Sequence, residues 1–174
     1  PLAQTRVQKS FRETVSRLAN ANPARLKDLQ GAVLVTRPEN GELIAAVGST
    51  QDFTGFNRTV DAKRQVGSLL KPVIYLSALE SGRYNWASQI EDAPISLPVS
   101  GNQTWTPKNY SGTGHGYVPM SQALANSYNL SAVRLGNEFG ISTFSNNLSK
   151  FGVTSKIPNY PSIFLGAVDM SPME

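Results

Sequence analysis

Hydrophobic residues at the start of the chain recur with the period of an α-helix. Their spacings of four, four and three residues place them on one stripe of a helix surface, formed by Val7, Phe11, Val15 and Leu18. The pattern predicts an amphipathic helix from Thr5 to Ala21. Asn22 and Pro23 follow at once, and the residue before a proline disfavours helical geometry, so the helix is expected to end there.

Two short apolar runs, partly β-branched, come next. They cover residues 32–36 and 42–47, and the segment between them ends in Gly41. Glycine accepts the positive φ that hairpin turns need. The sequence therefore predicts a β-hairpin, followed by a loop over residues 48–57.

A nearly continuous apolar run follows Ser68 and ends at Ser81 and Gly82. A helix that is hydrophobic on every side is a buried helix, so we predict a core helix here. Pro72 marks its first turn, because a proline further inside a helix costs about 3 kcal/mol. Ser68 is thus expected near the helix N-terminus, where unpaired N–H groups and the macrodipole favour negative charge.

The second half of the chain changes its pattern twice. Residues 91–119 are rich in Pro, Gly, Ser and Asn with interleaved aromatic residues, which predicts a long ordered loop over a groove. Helical spacing returns from Met120 to Phe139, with a polar break at residues 127–131 that we expect to face the site of Ser68. A further short helix is expected from Ile141 to Phe151.

The composition of the chain argues against several classes of function. The 174 residues are 40% hydrophobic and 16% charged, as in an ordinary globular domain. The net charge is +4, but the basic residues are scattered, so no nucleic-acid partner is expected. The chain has no cysteine and one histidine, so neither a disulfide nor a metal cluster is expected. No apolar run approaches the roughly twenty residues that span a bilayer, and Pro1 opens a chain that we expect to be trimmed at its start.

Ser68 and Lys71 have a spacing that places two side chains on one helix face. A serine hydroxyl is a poor nucleophile until a base removes its proton, and lysine can be that base if burial lowers its pKa. Ser127 and Asn129 form a Ser-x-Asn motif later in the chain, although a helix cap and a turn residue are alternatives. His115 lies among glycines and is a weaker candidate base. The combination predicts a serine acyl-transfer site.

With these motifs the chain resembles the penicillin-recognising serine acyltransferases, whose signatures are Ser-x-x-Lys, Ser-x-Asn and Lys-Thr-Gly. It is similar in particular to class A penicillin-binding proteins of the 1b type from Gram-negative bacteria. The matching stretches are residues 55–58, 64–72, 105–110 and 165–167.

The resemblance implies an α/β fold of the β-lactamase/transpeptidase type, an α+β sandwich with helices packed on a five-stranded antiparallel sheet. Residues 1–174 would be the N-terminal portion of a transpeptidase domain. No Lys-Thr-Gly occurs in them, so the C-terminal strands are expected on another chain. Nothing corresponds to the glycosyltransferase domain of the family.

The resemblance also implies a role for each site residue. Ser68 would attack the penultimate D-Ala carbonyl of a peptidoglycan stem peptide, and Lys71 would accept its proton. Ser127 would relay a proton to the leaving amine, while Asn129 would bind the substrate amide and hold Lys71. The expected substrate-binding residues are Gly67, Trp105, Asn109 and Tyr128, with a core anchor as the alternative for Trp105. No metal or organic cofactor is expected.

By the same resemblance, β-lactam antibiotics would acylate Ser68. The parent protein would be periplasmic and anchored in the inner membrane, with an outer-membrane lipoprotein activator and a homodimer as partners. A serine β-lactamase and a non-enzymatic β-lactam sensor are the alternatives. Class A β-lactamases add a glutamate that activates the deacylating water, and Glu80, Glu91 and Glu138 lie in no such setting. A long-lived acyl-enzyme is therefore expected.

Overall fold

The structure, a computed structural model, describes residues 2–51 and 55–174. They form two compact units, one containing the chain up to Arg64 together with Met170–Glu174, the other containing Gln65–Asp169. The loop predicted over residues 48–57 lies partly outside the described residues.

The first unit contains the predicted helix and hairpin, and both predictions are confirmed. Its elements are α1 (Leu2–Ala21), α2 (Pro23–Leu26), β1 (Val33–Thr36) and β2 (Leu43–Val47). The strands are antiparallel, and Val33 pairs with Val47. The side-chain amide of Gln4 on α1 donates to the Ala46 carbonyl and accepts its N–H, both at 2.9 Å, so α1 satisfies backbone groups of β2.

The second unit is built around a buried helix. After β3 (Arg64–Gln65) a 3₁₀ turn (Gly67–Leu70) leads into α3 (Lys71–Glu80). Pro72 lies in the first turn of α3, as predicted. Ile74, Tyr75 and Ala78 are at most 1% exposed, which confirms the core helix.

Residues 91–119 do not form one long loop, so that prediction is wrong. They contain most of four short strands, which pair as β4 with β7 and β5 with β6: β4 (Gln89–Asp92), β5 (Leu97–Val99), β6 (Gln103–Trp105) and β7 (Gly116–Pro119). Each strand has only three or four residues, so turn residues dominate the composition. Asn102, with φ of 59°, is an example.

The predicted polar break is confirmed between α4 (Met120–Ala125) and α5 (Asn129–Lys150). Gly140, with φ of 82° and ψ of 158°, interrupts α5 where the sequence separates two helices. A 3₁₀ turn (Pro161–Leu165) and β8 (Asp169–Met170) follow. Phe164 of this turn packs edge-to-face on Phe144 of α5, with ring centroids 5.7 Å apart, and closes the core over α3 and α5.

Helices and short antiparallel strand pairs thus make up both units. The strands of residues 2–51 and 55–174 form two-stranded sheets, and a five-stranded sheet does not occur among them. Across these same residues, no helix combines the length and apolarity that crossing a membrane requires.

Candidate active site

Two glycine backbones in close contact shape the turn that presents Ser68. Gly67 has a φ of 62°, and its N–H donates to the Gly166 carbonyl at 3.1 Å. A Cβ on Gly166 would lie 2.1 Å from the Gly67 carbonyl oxygen, so a larger residue does not fit. The Ser68 side chain is exposed, and its carbonyl accepts the N–H of Lys71.

Lys71 is 1% exposed, and its amine faces three oxygen atoms. Nζ lies 2.5 Å from the Ser127 carbonyl oxygen, 3.0 Å from Ser127 Oγ and 2.6 Å from Asn129 Oδ1. A neutral amine has two N–H donors and one lone pair. The carbonyl oxygens of Ser127 and Asn129 can accept the two donors, and the Ser127 hydroxyl can donate to the lone pair. This site can therefore hold Lys71 without its charge.

Burial lowers the pKa of Lys71 from 10.5 to about 8, although the negative charge of Asp92 acts in the opposite direction. At pH 7 roughly one molecule in ten then carries the uncharged amine. A lysine with its ordinary pKa would be charged in all but a very small fraction. The low pKa therefore suits Lys71 to the role of a base.

Ser127 occupies a backbone position that usually belongs to glycine. Its φ is 55°, its N–H donates to the Leu124 carbonyl, and the next N–H, of Tyr128, donates to the Ala123 carbonyl. This is the Schellman motif at the end of α4, with Ser127 as the left-handed residue. Strained backbone of this kind is concentrated at functional sites. Here it directs both oxygens of Ser127 at the Lys71 amine.

Asn129 begins α5, and neighbouring residues fix its position. The Asn109 Oδ1 accepts the N–H of Asn129 at 2.7 Å and that of Leu130 at 3.2 Å. The Asn129 side-chain amide donates to the Lys108 carbonyl at 2.8 Å, which leaves its Oδ1 to accept from Lys71. The amide orientation is thereby determined at both ends.

Beneath this arrangement lies Asp92, at 0% exposure. Its Oδ2 lies 2.6 Å from His115 Nδ1 and accepts from Asn109 Nδ2 at 2.7 Å, while its Oδ1 accepts from Ser131 Oγ at 2.9 Å. Burial by itself would raise the pKa of Asp92, but the hydrogen bonds from His115, Ser131 and Asn109 outweigh it, and the pKa lies below its usual 3.8. Asp92 is therefore a buried carboxylate at neutral pH.

Three of the four predicted catalytic residues are brought together at the Lys71 amine. Lys71, Ser127 and Asn129 form one hydrogen-bonded group. The Ser68 hydroxyl makes no hydrogen bond within the described part of the chain, so its predicted bond to Lys71 is absent here. Catalytic hydrogen bonds often tighten only when a substrate is bound. The role of Ser68 stays a prediction.

The predicted substrate-binding residues have different surroundings. Asn109 is 6% exposed, and its amide is engaged with Asp92 and the first turn of α5, which are internal contacts. Trp105 and Tyr128 are half-buried, and Tyr128 stacks on His115 with ring centroids 4.1 Å apart. Substrate contact by Gly67, Trp105 and Tyr128 stays a prediction.

Sequence reasoning did not identify Asp92 or Ser131, and it considered His115 only as a base. The structure gives His115 a bond to Asp92 and a stack on Tyr128. Asp92 is the last residue of β4 and lies in the segment 91–119, for which the sequence predicts a loop, so no pattern marked it. Among the described residues, no three His, Asp or Glu side chains are grouped so as to hold a metal ion.

Comparisons with known proteins identify the family of the chain. The family model "Penicillin binding protein transpeptidase domain" matches residues 31–160. Penicillin-binding protein 1B of Vibrio cholerae is 37% identical over 177 residues, an alignment that covers 100% of this chain and 22% of that protein. The chain thus spans about a fifth of the length of the curated relatives that it matches.

Solved structures show the same fold. The crystal structure of penicillin-binding protein 1A from Haemophilus influenzae is 32% identical, with a TM-score of 0.75 over 83% of this chain and 22% of that chain. PonA1 of Mycobacterium tuberculosis in complex with penicillin V is 26% identical, with a TM-score of 0.67 over 88% of this chain and 44% of that chain. These similarities confirm the predicted fold class. Since the family model covers well over half of the chain, the chain belongs to the penicillin-binding protein transpeptidase domain family.

Proposed function

We propose that this chain carries the nucleophile and the base of a serine D,D-transpeptidase, which forms an acyl-enzyme on Ser68 and crosslinks peptidoglycan stem peptides. The observation that carries the proposal is the buried amine of Lys71, in contact with Ser127 and Asn129 and one turn after Ser68. We propose residues 1–174 as the N-terminal portion of that domain, with the Lys-Thr-Gly strand on a further segment.

In the first step, Ser68 Oγ attacks the carbonyl carbon of the penultimate D-Ala and its proton passes to the neutral Lys71 amine. A tetrahedral oxyanion forms. The bond to the terminal D-Ala nitrogen then breaks, and the leaving amine receives a proton from Lys71 through the Ser127 hydroxyl, which lies 3.0 Å from Nζ. Acid–base assistance of this kind contributes a factor of about 10² to 10⁴.

In the second step, the amine of another stem peptide attacks the ester carbonyl. The same groups act in reverse: the attacking amine loses a proton through Ser127 and Lys71, and Ser68 Oγ leaves and regains its proton. The net result is a new amide bond, one released D-Ala and an unchanged enzyme.

The N-terminus of the turn that precedes α3 would stabilise the oxyanion. N–H groups in the first turn of a helix have no partner within the helix, and Ser68 lies in that turn. Each preorganised donor in an oxyanion hole is worth about 3–4 kcal/mol in the transition state. We propose the Ser68 N–H as one donor, with the second supplied by the Lys-Thr-Gly strand.

A β-lactam would acylate Ser68 in the same way, because its ring amide takes the place of the D-Ala-D-Ala bond. Hydrolysis of the acyl-enzyme would need a base for water. The three glutamates weighed above have other partners: Glu80 contacts Asn147 and Lys150, Glu91 pairs with Arg134, and Glu138 contacts Arg83 and Tyr84. These contacts support slow deacylation and favour a transpeptidase over a β-lactamase.

The wider setting is proposed from the family. The whole protein would act in the periplasm, held in the inner membrane by a segment outside these residues. Its substrates would be stem peptides that end in D-Ala-D-Ala. An outer-membrane lipoprotein activator and a second copy of the protein would be its partners.

Labelling with a fluorescent penicillin tests the proposal. The measurement uses the 174-residue chain and a longer protein that joins these residues to a Lys-Thr-Gly strand. We expect one stable label per protein, mapped to Ser68 by peptide mass analysis and lost in Ser68→Ala. Ser149→Ala, at an exposed serine near the C-terminal end of α5, is the matched control. Label on Ser68→Ala would refute the nucleophile, and sustained turnover of a chromogenic cephalosporin would indicate a β-lactamase.

A further inference from the structure

A continuous chain of hydrogen bonds connects the carboxylate of Asp92 to the amine of Lys71. Asp92 Oδ2 accepts from Asn109 Nδ2 at 2.7 Å, Asn109 Oδ1 accepts the N–H of Asn129 at 2.7 Å, and Asn129 Oδ1 accepts from Lys71 Nζ at 2.6 Å. Asp92 and Asn109 are 0% and 6% exposed. Water therefore competes little for these bonds.

The first turn of α5 is held at three successive N–H groups. A helix begins with N–H groups that have no partner within the helix. Here Asn109 Oδ1 accepts those of Asn129 and Leu130, and Asp92 Oδ1 accepts that of Ser131 at 3.1 Å together with its hydroxyl. Rotation of α5 about its axis, or a shift along it, would break several of these bonds at once.

We infer that Asp92 is a positioning residue for acyl transfer: through Asn109 and the first turn of α5, it holds Asn129 against the Lys71 amine. The inference rests on the proposed function. Asp92 makes no contact with the reacting atoms. A misplacement of about 1 Å by a change remote from the chemistry can lower a rate about 10²-fold.

Asp92 also acts on Lys71 through its charge. This effect gives a measurement that distinguishes a positioning residue from one that only supports the fold. Its negative charge raises the pKa of Lys71 against the effect of burial. The titratable and charged groups around Asp92 are Lys71 and Tyr75 from α3, His115 from the segment before β7, and the adjacent Glu91–Arg134 pair. Removing the Asp92 charge should shift the pH profile of acylation to lower pH, whereas loss of packing alone would not.

The test measures the second-order rate of acylation by a fluorescent penicillin between pH 6 and pH 10, in the transpeptidase domain with its Lys-Thr-Gly strand. Asp92→Asn removes the charge and places an amide N–H against Asn109 Nδ2. We expect acylation to be about 10²-fold slower. The midpoint of its pH profile should lie below the wild-type value of about 8. Asn109→Ala breaks the connection but keeps the charge, so its rate should fall similarly with the midpoint unchanged.

Two further variants complete the set. The exchange Asp92→Asn with Asn109→Asp restores a donor and acceptor between positions 92 and 109, and should recover at least about tenfold of the lost rate. Glu91→Gln removes the neighbouring carboxylate of β4, which pairs with Arg134 at the surface. Its acylation rate should stay within about twofold of the wild-type rate.

The inference is overturned if Asp92→Asn keeps the wild-type rate and midpoint, or if it loses rate with an unmoved midpoint and no recovery in the exchange variant. The NMR signals of the Asn129 side-chain amide give a readout that does not need acylation. They should move in Asp92→Asn and Asn109→Ala but not in Glu91→Gln, and unmoved signals would also overturn it. A wild type that is not labelled at Ser68 would instead refute the proposed function.

Discussion

Lys71 and Asp92 are equally inaccessible to solvent, at 1% and 0% exposure, yet folding weakens the charged form of Lys71 and strengthens the charged form of Asp92. Lys71 meets three oxygens that a neutral amine can satisfy, and burial lowers its pKa to about 8. Asp92 meets several donors that hold it ionised. Burial by itself disfavours charge at both positions. At Asp92 the hydrogen-bond donors outweigh burial, whereas at Lys71 burial is the larger effect, so the balance between the two decides whether a buried group becomes a base or a fixed charge.

The two groups therefore affect folding stability differently with pH. The Lys71 pKa is lowered by folding, so its burial costs stability at neutral pH, and this cost fades as pH rises from about 8 to 10.5. The Asp92 pKa is also lowered, so its hydrogen bonds contribute fully above 3.8. That contribution is lost as pH falls through the folded pKa.

The largest effect is expected when the base is removed. Lys71→Met keeps the length of the side chain but has no amine, so penicillin acylation should slow about 10² to 10⁴-fold while the circular dichroism spectrum stays that of the wild type. Lys150→Met, at an exposed ion pair, is the control and should react normally. Acylation of Lys71→Met at the wild-type rate would exclude Lys71 as the base.

The next effect concerns stability. Asp92→Ala leaves the Ser131 and Asn109 donors buried without an acceptor, so urea unfolding at pH 7 should show a loss of about 3–5 kcal/mol. The difference from the wild type should shrink as pH falls below 3.8, because Asp92 is protonated there in the unfolded chain and, at still lower pH, in the folded protein. Asp169→Ala, at an exposed aspartate, should stay within about 0.5 kcal/mol. Equal stability of Asp92→Ala and Asp169→Ala would contradict the prediction.

A third change would place a negatively charged partner beside the Lys71 amine and so favour its charged form. Asn129→Asp places a carboxylate 2.6 Å from Nζ, which stabilises the ammonium and should raise the midpoint of the acylation pH profile by about 1–3 pH units. The rate at pH 7 should fall at least about tenfold. Asn137→Asp adds the same charge at an exposed position of α5 and should leave the midpoint in place. A midpoint unmoved by Asn129→Asp would count against direct contact.

The smallest effect tests the backbone of Ser127. Ser127→Gly and Ser127→Ala both remove the hydroxyl, but only glycine is unstrained at a φ of 55°. Ser127→Gly should therefore be more stable than Ser127→Ala by about 1 kcal/mol in urea unfolding, with the same slow acylation in both. Equal stabilities would indicate that the left-handed conformation is not maintained in solution.

Much of this arrangement could be predicted from the sequence, for physical reasons that differ between residues. The apolar stripe of α1 has the period of a helix, and the continuous apolar run of α3 is typical of a buried helix. Each pattern therefore predicts its helix by itself. The spacing of Ser68 and Lys71 places both on one face for the same reason. Ser127 and Asn129 were found through a motif, since their contact with Lys71 depends on how α3 meets α5.

Asp92 and Asn109 show what a pattern cannot reveal. Their importance comes from hydrogen bonds between strands of three or four residues and the first turn of α5, which local sequence does not encode. The turn residues around these strands made the region resemble a loop. Ser127 breaks the usual preference for glycine at the end of a helix, and such exceptions are expected where function requires them.

The charge state of Lys71 can be measured directly by NMR titration of its ¹³Cε signal, assigned by its absence in Lys71→Met. We expect a titration midpoint of about 8, well below the ordinary lysine value of 10.5. A midpoint at or above the ordinary value of 10.5 would leave almost no uncharged amine at neutral pH, and would contradict the role of Lys71 as the base that activates Ser68.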